Sequence, residues 1–184
     1  WPEDHRAVPM TTLDVGPDPA PAYEGICASA DGTVLWVAGR ATRTVERYTG
    51  SPQAGYALDA GFSLDLSDVS GWQGFKGMDL SADEAKLFIA DDTDGAERIL
   101  IVDPTDGTIL PESFSTTGEG ASNPFDVEVD ASGNVYVAQY GDRRVEKYVW
   151  QDEPPTPTPT ASPTPGPAEP EVRALWVTRW DYTQ

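Results

Sequence analysis

Residues 123 to 148, "NPFDVEVDASGNVYVAQYGDRRVEKY", decide how the rest of the chain is read. Three short apolar segments lie in this stretch: one with Val127 and Val129 on one side, the run Val135-Tyr136-Val137-Ala138, and a third from Arg143 to Tyr148. Between the first two, "DASGN" places Gly133-Asn134 where a tight hairpin favours positive backbone angles. Apolar runs this short, bounded by glycine and aspartate, read as strands.

The same pattern occurs twice more. Val135-Tyr136-Val137-Ala138 is matched by Leu35-Trp36-Val37-Ala38 and Leu87-Phe88-Ile89-Ala90, at spacings of 52 and 48 residues. A shorter strand precedes each, with Ile26 and Ala28, then Met78 and Leu80, on the side that Val127 and Val129 take. The joining turns are "SADGT" and "SADEA". Arg43, Val45, Glu46, Arg47 and Tyr48 return 100 residues later as Arg143, Val145, Glu146, Lys147 and Tyr148. In the middle copy "DDTDGAE" lengthens the connection before "RILIVD", residues 98 to 103. A weaker fourth strand is expected around Phe62 to Leu66 and at Thr108 to Leu110. Four short strands in about 50 residues is the arithmetic of a β-propeller blade. Packing between two neighbours also explains why the second strand is apolar on both faces. The fold class is therefore all-β, a partial propeller of about three blades near residues 23–66, 75–110 and 124–150. Propellers typically close with about four to eight blades. Earlier blades are accordingly expected upstream, and "TTLDV", residues 11 to 15, is read as one more β segment.

The units resemble NHL-type repeats. In residues 123 to 148 the proline, the hairpin glycine, the Val-Tyr-Val-Ala strand and the Arg-Val strand of that family stand in register. "YEGICASADGTVLWVAGRATRTVERY" matches less fully, and the middle copy is weakened by its insertion.

"DEPPTPTPTASPTPGPAEP", residues 152 to 170, holds eight of the chain's seventeen prolines. Alternating proline and threonine builds no core and prefers an extended polyproline conformation, so a disordered linker is expected. Three units follow: a propeller body over 1–151, the linker over 152–170, and the start of a truncated second domain over 171–184. Linkers of this type point to an extracellular or cell-surface protein. In the last unit, Glu171-Val172-Arg173-Ala174-Leu175-Trp176-Val177-Thr178 resembles the opening strand of glycosyl-hydrolase-like family 10 domains. That family begins Glu-x-Arg-Gly-x-Trp-[Val/Leu]-Thr and folds as a (β/α)8 barrel; Ala174 stands where it carries glycine. The resemblance implies that Trp180 and Asp181 lie just past the first barrel strand, on the face where barrel enzymes place their sites.

Composition narrows the functions. The body carries 26 acidic against 10 basic residues, a charge that repels nucleic acid. Its longest apolar runs fall far short of the roughly 20 residues a membrane span needs. Cys27 and His5 are the only residues of their types, so thiol and serine triads and histidine-ligated metals lack material. Cys27 reads as a small core residue.

Candidate sites fall on loops. Asp91, Asp92, Asp94 and Glu97 form the densest acidic cluster, the donor type that calcium favours, although their spacing is not that of an EF-hand and a solvated acidic loop is the plainer reading. Trp72 in "GWQGF" offers a flat face for a sugar or packs between blades. Tyr140, Asp142 and Arg143 lie on a connection where propellers carry ligand contacts, with a surface ion pair beside Arg144 as the plain alternative. The expected function is a non-catalytic module of a secreted, multidomain glycoside-hydrolase-like protein, binding a glycan or protein and itself inactive, with no cofactor apart from a possible calcium ion. The alternatives are a stand-alone propeller for protein–protein interaction and a calcium-dependent propeller lactonase. Against the lactonase, Glu24, Asp79, Asp126 and Glu128 stand at unequal registers of the first strands.

Overall fold

The computed structural model of the protein describes residues 23–39, 42–66, 74–93, 95, 97–116 and 123–150, and the backbone of residues 175–180. Every regular element among them is a β-strand. The first sheet contains β1 (Tyr23–Ala28), β2 (Val34–Gly39), β3 (Thr44–Ser51), β4 (Gly55–Leu58) and β5 (Leu64–Asp65). The second contains β6 (Phe75–Leu80), β7 (Leu87–Asp91), β8 (Arg98–Val102) and β9 (Phe114–Ser115). The third contains β10 (Pro124–Val129), β11 (Val135–Gln139), β12 (Arg144–Trp150) and β13 (Leu175–Trp180). Each is an antiparallel meander, with β4 and β5 both pairing with β3.

The hairpins between the first two strands of each sheet share one turn chemistry. Ser29 donates to Asp31 at 2.7 Å and accepts the Val34 amide at 2.9 Å. Ser81 repeats this with Asp83 and the Lys86 amide, at 2.6 and 3.0 Å. In the third sheet Asp130 performs both tasks, accepting the amides of Ser132 and Asn134 at 2.9 Å each. Donors from Thr33, Ser81 and Asn134 hold the carboxyls of Asp31, Asp83 and Asp130 below their ordinary range. Gly32 and Gly133 adopt φ of 69° and 78° in these turns, whereas the middle one forces Glu84 to 55°. Glu84 gains a partner there, accepting the Ala30 amide of the first sheet at 2.6 Å.

The fourth-strand positions depart from expectation. In the first sheet β5 falls inside the expected segment, but β4 precedes it, so the outer edge is split in two. In the second, Ile109 makes only an isolated bridge to Val102, and the strand proper is β9. In the third, a strand does form within residues 171–184, yet it pairs with β12 from Val145↔Trp180 to Trp150↔Leu175. Without it the outer edge of β12 would leave a row of backbone donors and acceptors without partners in the sheet, and six paired residues satisfy them. The segment "TTLDV" and the stretch 152–170 lie outside the described residues.

Two apolar joints hold the three sheets together. Leu87, Ile89, Leu100 and Val102 of the second sheet pack toward the first, against Trp36, Ala38 and Val45. Phe88, Ala90, Ile99 and Ile101 pack toward the third, against Val127, Val135, Val137 and Tyr148. The middle blade is thus buried on both faces, as its unbroken apolar strands require, and each large side chain contributes about 1.5–3 kcal/mol. Polar pins cross the joints. The Trp36 indole and Arg47 donate to the Pro104 carbonyl at 3.2 and 2.7 Å, and the Val129 amide donates to Asp79 at 2.7 Å.

The inner strands β1, β6 and β10 approach each other through glycine. A Cβ on Gly25 would overlap the Lys76 carbonyl oxygen, and one on Gly77 would overlap Asp126, lying 2.9 Å from its Cα. The backbones meet at these two positions because no side chain intervenes.

Candidate functional site

The second residues of the three inner strands are Glu24, Lys76 and Phe125. Stacking the blades brings these three unlike side chains into one line. Lys76 Nζ lies 2.5 Å from Glu24 Oε2, with only 9% of the lysine side chain exposed. The same ammonium sits 5.7 Å from the centroid of the Phe125 ring. Phe125 in turn meets Tyr140, with ring centroids 5.8 Å apart and planes tilted by 34°. The two rings are 52% and 72% exposed, so a short aromatic platform faces solvent beside an ion pair whose lysine is buried and whose glutamate is half-buried. Its placement is rigid at both ends: Phe125 belongs to β10, and the Tyr140 amide donates to the Asn123 carbonyl at 3.0 Å. Asn123 takes a φ of 65° to present that carbonyl.

The connection after Tyr140 is less simple than a surface ion pair. Asp142 pairs with Arg144, at 3.3 Å, and Arg144 Nε donates on to Glu146 at 2.8 Å. Glu146 is buried and also accepts from the Tyr148 hydroxyl at 2.7 Å and from Gln139 at 3.2 Å. Three donors thereby satisfy one buried carboxylate. Arg143 is exposed at φ 55°, matching Arg43 at 57° in the first blade.

Asp91 and Asp92 do not form a solvated loop. Asp91 closes β7, is buried, and accepts from Thr93 at 2.6 Å and from Arg98 Nε at 2.8 Å. Register explains this: Asp91 pairs directly with Arg98 across β7 and β8. Asp92 is buried as well, and its amide donates to the Gly74 carbonyl at 3.1 Å. Among the described residues no three histidine, cysteine, aspartate or glutamate side chains are placed to hold a metal ion. Asp94, Trp72 and Asp181 lie outside the described residues, and of Trp180 only the backbone is described, opposite Val145.

The acidic residues of the inner strands are closer in register than the sequence suggests. Asp79 and Glu128 occupy one position, two beyond Gly77 and Asp126, and Cys27 holds it in the first blade. Desolvation, then the Asp79 and Asp126 carboxylates, push the Glu128 carboxyl above its ordinary value. Burial, then the Asp79 and Glu128 carboxylates, push the Cys27 thiol up to about 11, which keeps it protonated and unreactive. Phe125 and Lys76 are the site residues that sequence reading missed. Their signal was an aromatic and a cation at positions equivalent to Glu24, which only the blade alignment exposes.

No family model matches the chain, and no curated protein matches it. Solved structures do. The periplasmic gluconolactonase of Pseudomonas aeruginosa superposes with a TM-score of 0.57 at 20% identity, covering 74% of this chain and 37% of its own. A streptogramin B lyase gives 0.52 at 12%, covering 68% and 36%. Virginiamycin B lyase from Staphylococcus aureus gives 0.50 at 15%, covering 68% and 37%. These likenesses show a propeller-like all-β fold, and the chain spans little more than a third of the length of these three proteins.

Proposed function

We propose that this chain is a non-catalytic binding module of a secreted, glycan-acting protein, and that Phe125 and Tyr140 receive a sugar ring. The carrying observation is the pair of exposed, adjacent rings held on a strand and a pinned loop. Aromatic faces stack on the apolar faces of sugars, and rigid placement limits the ordering cost of binding. The Pro/Thr composition of residues 152–170 and the resemblance of Glu171–Thr178 to a barrel strand support a hydrolase partner domain in the same protein. Pairing of β13 with β12 competes with that partner-domain reading. Proteolytic cutting within residues 152–170 separates the two: a further domain leaves blade melting unchanged, whereas a true fourth strand lowers it.

Titration of the chain with neutral and acidic oligosaccharides tests the binding reading. Tyr140→Ala and Phe125→Ala are expected each to weaken binding about tenfold with little change in melting temperature. Absence of binding across the panel, or binding indifferent to both substitutions, overturns it. A second reading, a calcium-dependent lactonase, draws on the likeness to a gluconolactonase and on the clustered charge of Asp79, Asp126 and Glu128, which by themselves do not form a cation site. It requires a rise in melting temperature with added calcium that Glu128→Gln removes.

A further inference from the structure

The first and third blades share one buried pairing, in which Tyr48 donates to Glu46 at 2.6 Å and Tyr148 to Glu146 at 2.7 Å. The pair therefore recurs with the repeat. The third blade adds two donors to it. Gln139 and Arg144 face each other across β11 and β12, where the first blade has Gly39 and Thr44. Gln139 Nε2 and Arg144 Nε reach the Glu146 carboxylate at 3.2 and 2.8 Å. Glu146 is buried, whereas Glu46 is half-buried.

The added donors attach to the backbone that carries the exposed rings. Gln139 directly precedes Tyr140 and pairs in register with Pro124, which directly precedes Phe125. Arg144 follows the same loop and pairs with Asp142 inside it, at 3.3 Å. Glu146 thus grips the Tyr140 loop on both sides. The grip has a cost: Gln139 Oε1 is buried and, among the described residues, has no hydrogen-bond partner. Turning the amide over would set that oxygen against the Glu146 carboxylate, acceptor to acceptor. An apolar side chain of the same length would leave no such atom unpaired.

We propose that Gln139 and Arg144 are positioning residues for the aromatic platform: by donating to Glu146 they fix the Tyr140 loop against β10, so that the Phe125 and Tyr140 rings meet a ligand together. The donation to Glu146, and not a gain in folding stability, accounts for a glutamine with an unpaired carbonyl at this position. The consequence for binding rests on the sugar reading above; the consequence for the loop does not.

Amide hydrogen exchange and oligosaccharide titration of the full chain test this in Gln139→Met and Tyr148→Phe. Each variant removes one donor from Glu146, and methionine keeps the length of glutamine. In Gln139→Met the Tyr140 amide, bonded to the Asn123 carbonyl, should exchange about tenfold faster relative to the Val129 amide at the other end of β10. Affinity for the sugar that binds the parent best should fall about threefold or more, because the rings must then be ordered on binding. Tyr148→Phe removes the donor that belongs to the repeat. It should lower the melting temperature while leaving the exchange ratio and the affinity within about twofold of the parent.

Unchanged Tyr140 exchange in Gln139→Met overturns the proposal, as does equal acceleration in Tyr148→Phe, which would mark a role in folding alone. Faster exchange with unchanged affinity, in a parent that binds, also overturns it. A parent that binds no sugar sinks the platform reading instead, and the exchange ratios alone then decide whether the two donors hold the loop. Should Gln139→Met fail to fold, Arg144→Lys takes its place: it keeps the charge and loses the fixed fork of donors, and Tyr140 exchange no faster than the parent's overturns the proposal.

Discussion

The third strands of the first and last blades are close copies in sequence, from Thr44-Val45-Glu46-Arg47-Tyr48 to Arg144-Val145-Glu146-Lys147-Tyr148, and locally they behave alike. Tyr48 donates to Glu46 at 2.6 Å and Tyr148 to Glu146 at 2.7 Å, and the residues that precede the strands, Arg43 and Arg143, share a left-handed backbone. Their surroundings differ. Val45 is sealed against the second blade, whereas Val145 is half open. A strand's own sequence sets its pairing and side-chain hydrogen bonds; its burial is set by whether another blade stands beside it.

The comparison can be broken most severely at the joints. Gly77→Val would drive a branched side chain into the backbone and side chain of Asp126, and is expected to cost about 3 kcal/mol or more, read as loss of the cooperative thermal transition. The same substitution at Gly133, which has open space around its Cβ position, isolates the penalty of its φ of 78° from that of overlap.

A smaller effect sharpens the contrast between equivalent residues. Ile99→Ala empties a fully buried site between the second and third blades and should cost about 2–5 kcal/mol in denaturant unfolding. Val145→Ala, at the equivalent exposed position, should change stability by less than about 0.5 kcal/mol. Equal costs at the two positions would mean that the outer face of the third blade is covered in solution.

The smallest effect is in pH. The Glu128 carboxyl titrates above its ordinary value in the folded chain, so its protonated form is favoured by folding. Stability from this group is present at acid pH and is lost as pH rises through the folded value. Glu128→Gln should therefore melt slightly above the parent near neutrality, and the gap should vanish below the ordinary value of 4.5. Asp130, whose carboxyl is depressed by Asn134, acts in the opposite sense: its contribution is present at neutral pH and disappears on acidification. A parent that gained on the glutamine variant as pH rose would contradict the carboxylate grouping on the inner strands.

Much of the architecture was legible before any coordinates. The recurring aliphatic-aromatic-aliphatic-alanine run, the hairpin aspartates and the hundred-residue echo of the third strand are local patterns, and they located three repeat units and most of their strands. Strand formation and turn geometry depend on a handful of neighbouring residues, so sequence alone suffices for them. The remaining outcomes depend on contacts between distant residues. Asp91 looked like part of a solvated loop until its register with Arg98 buried it. Tyr140 was singled out as a loop residue, but its partner Phe125 and the Glu24–Lys76 pair below were assembled only by stacking three inner strands. Residues 175–180 announced a strand without naming its neighbour, because backbone hydrogen bonding in a strand is satisfied by whichever edge is available. Sequence by itself determined the blades, their hairpins and the acidic charge. Tertiary structure decided which faces were buried, which polar groups met and where an aromatic surface was left open, since burial and pairing belong to neighbours brought together by packing and not to the residue itself.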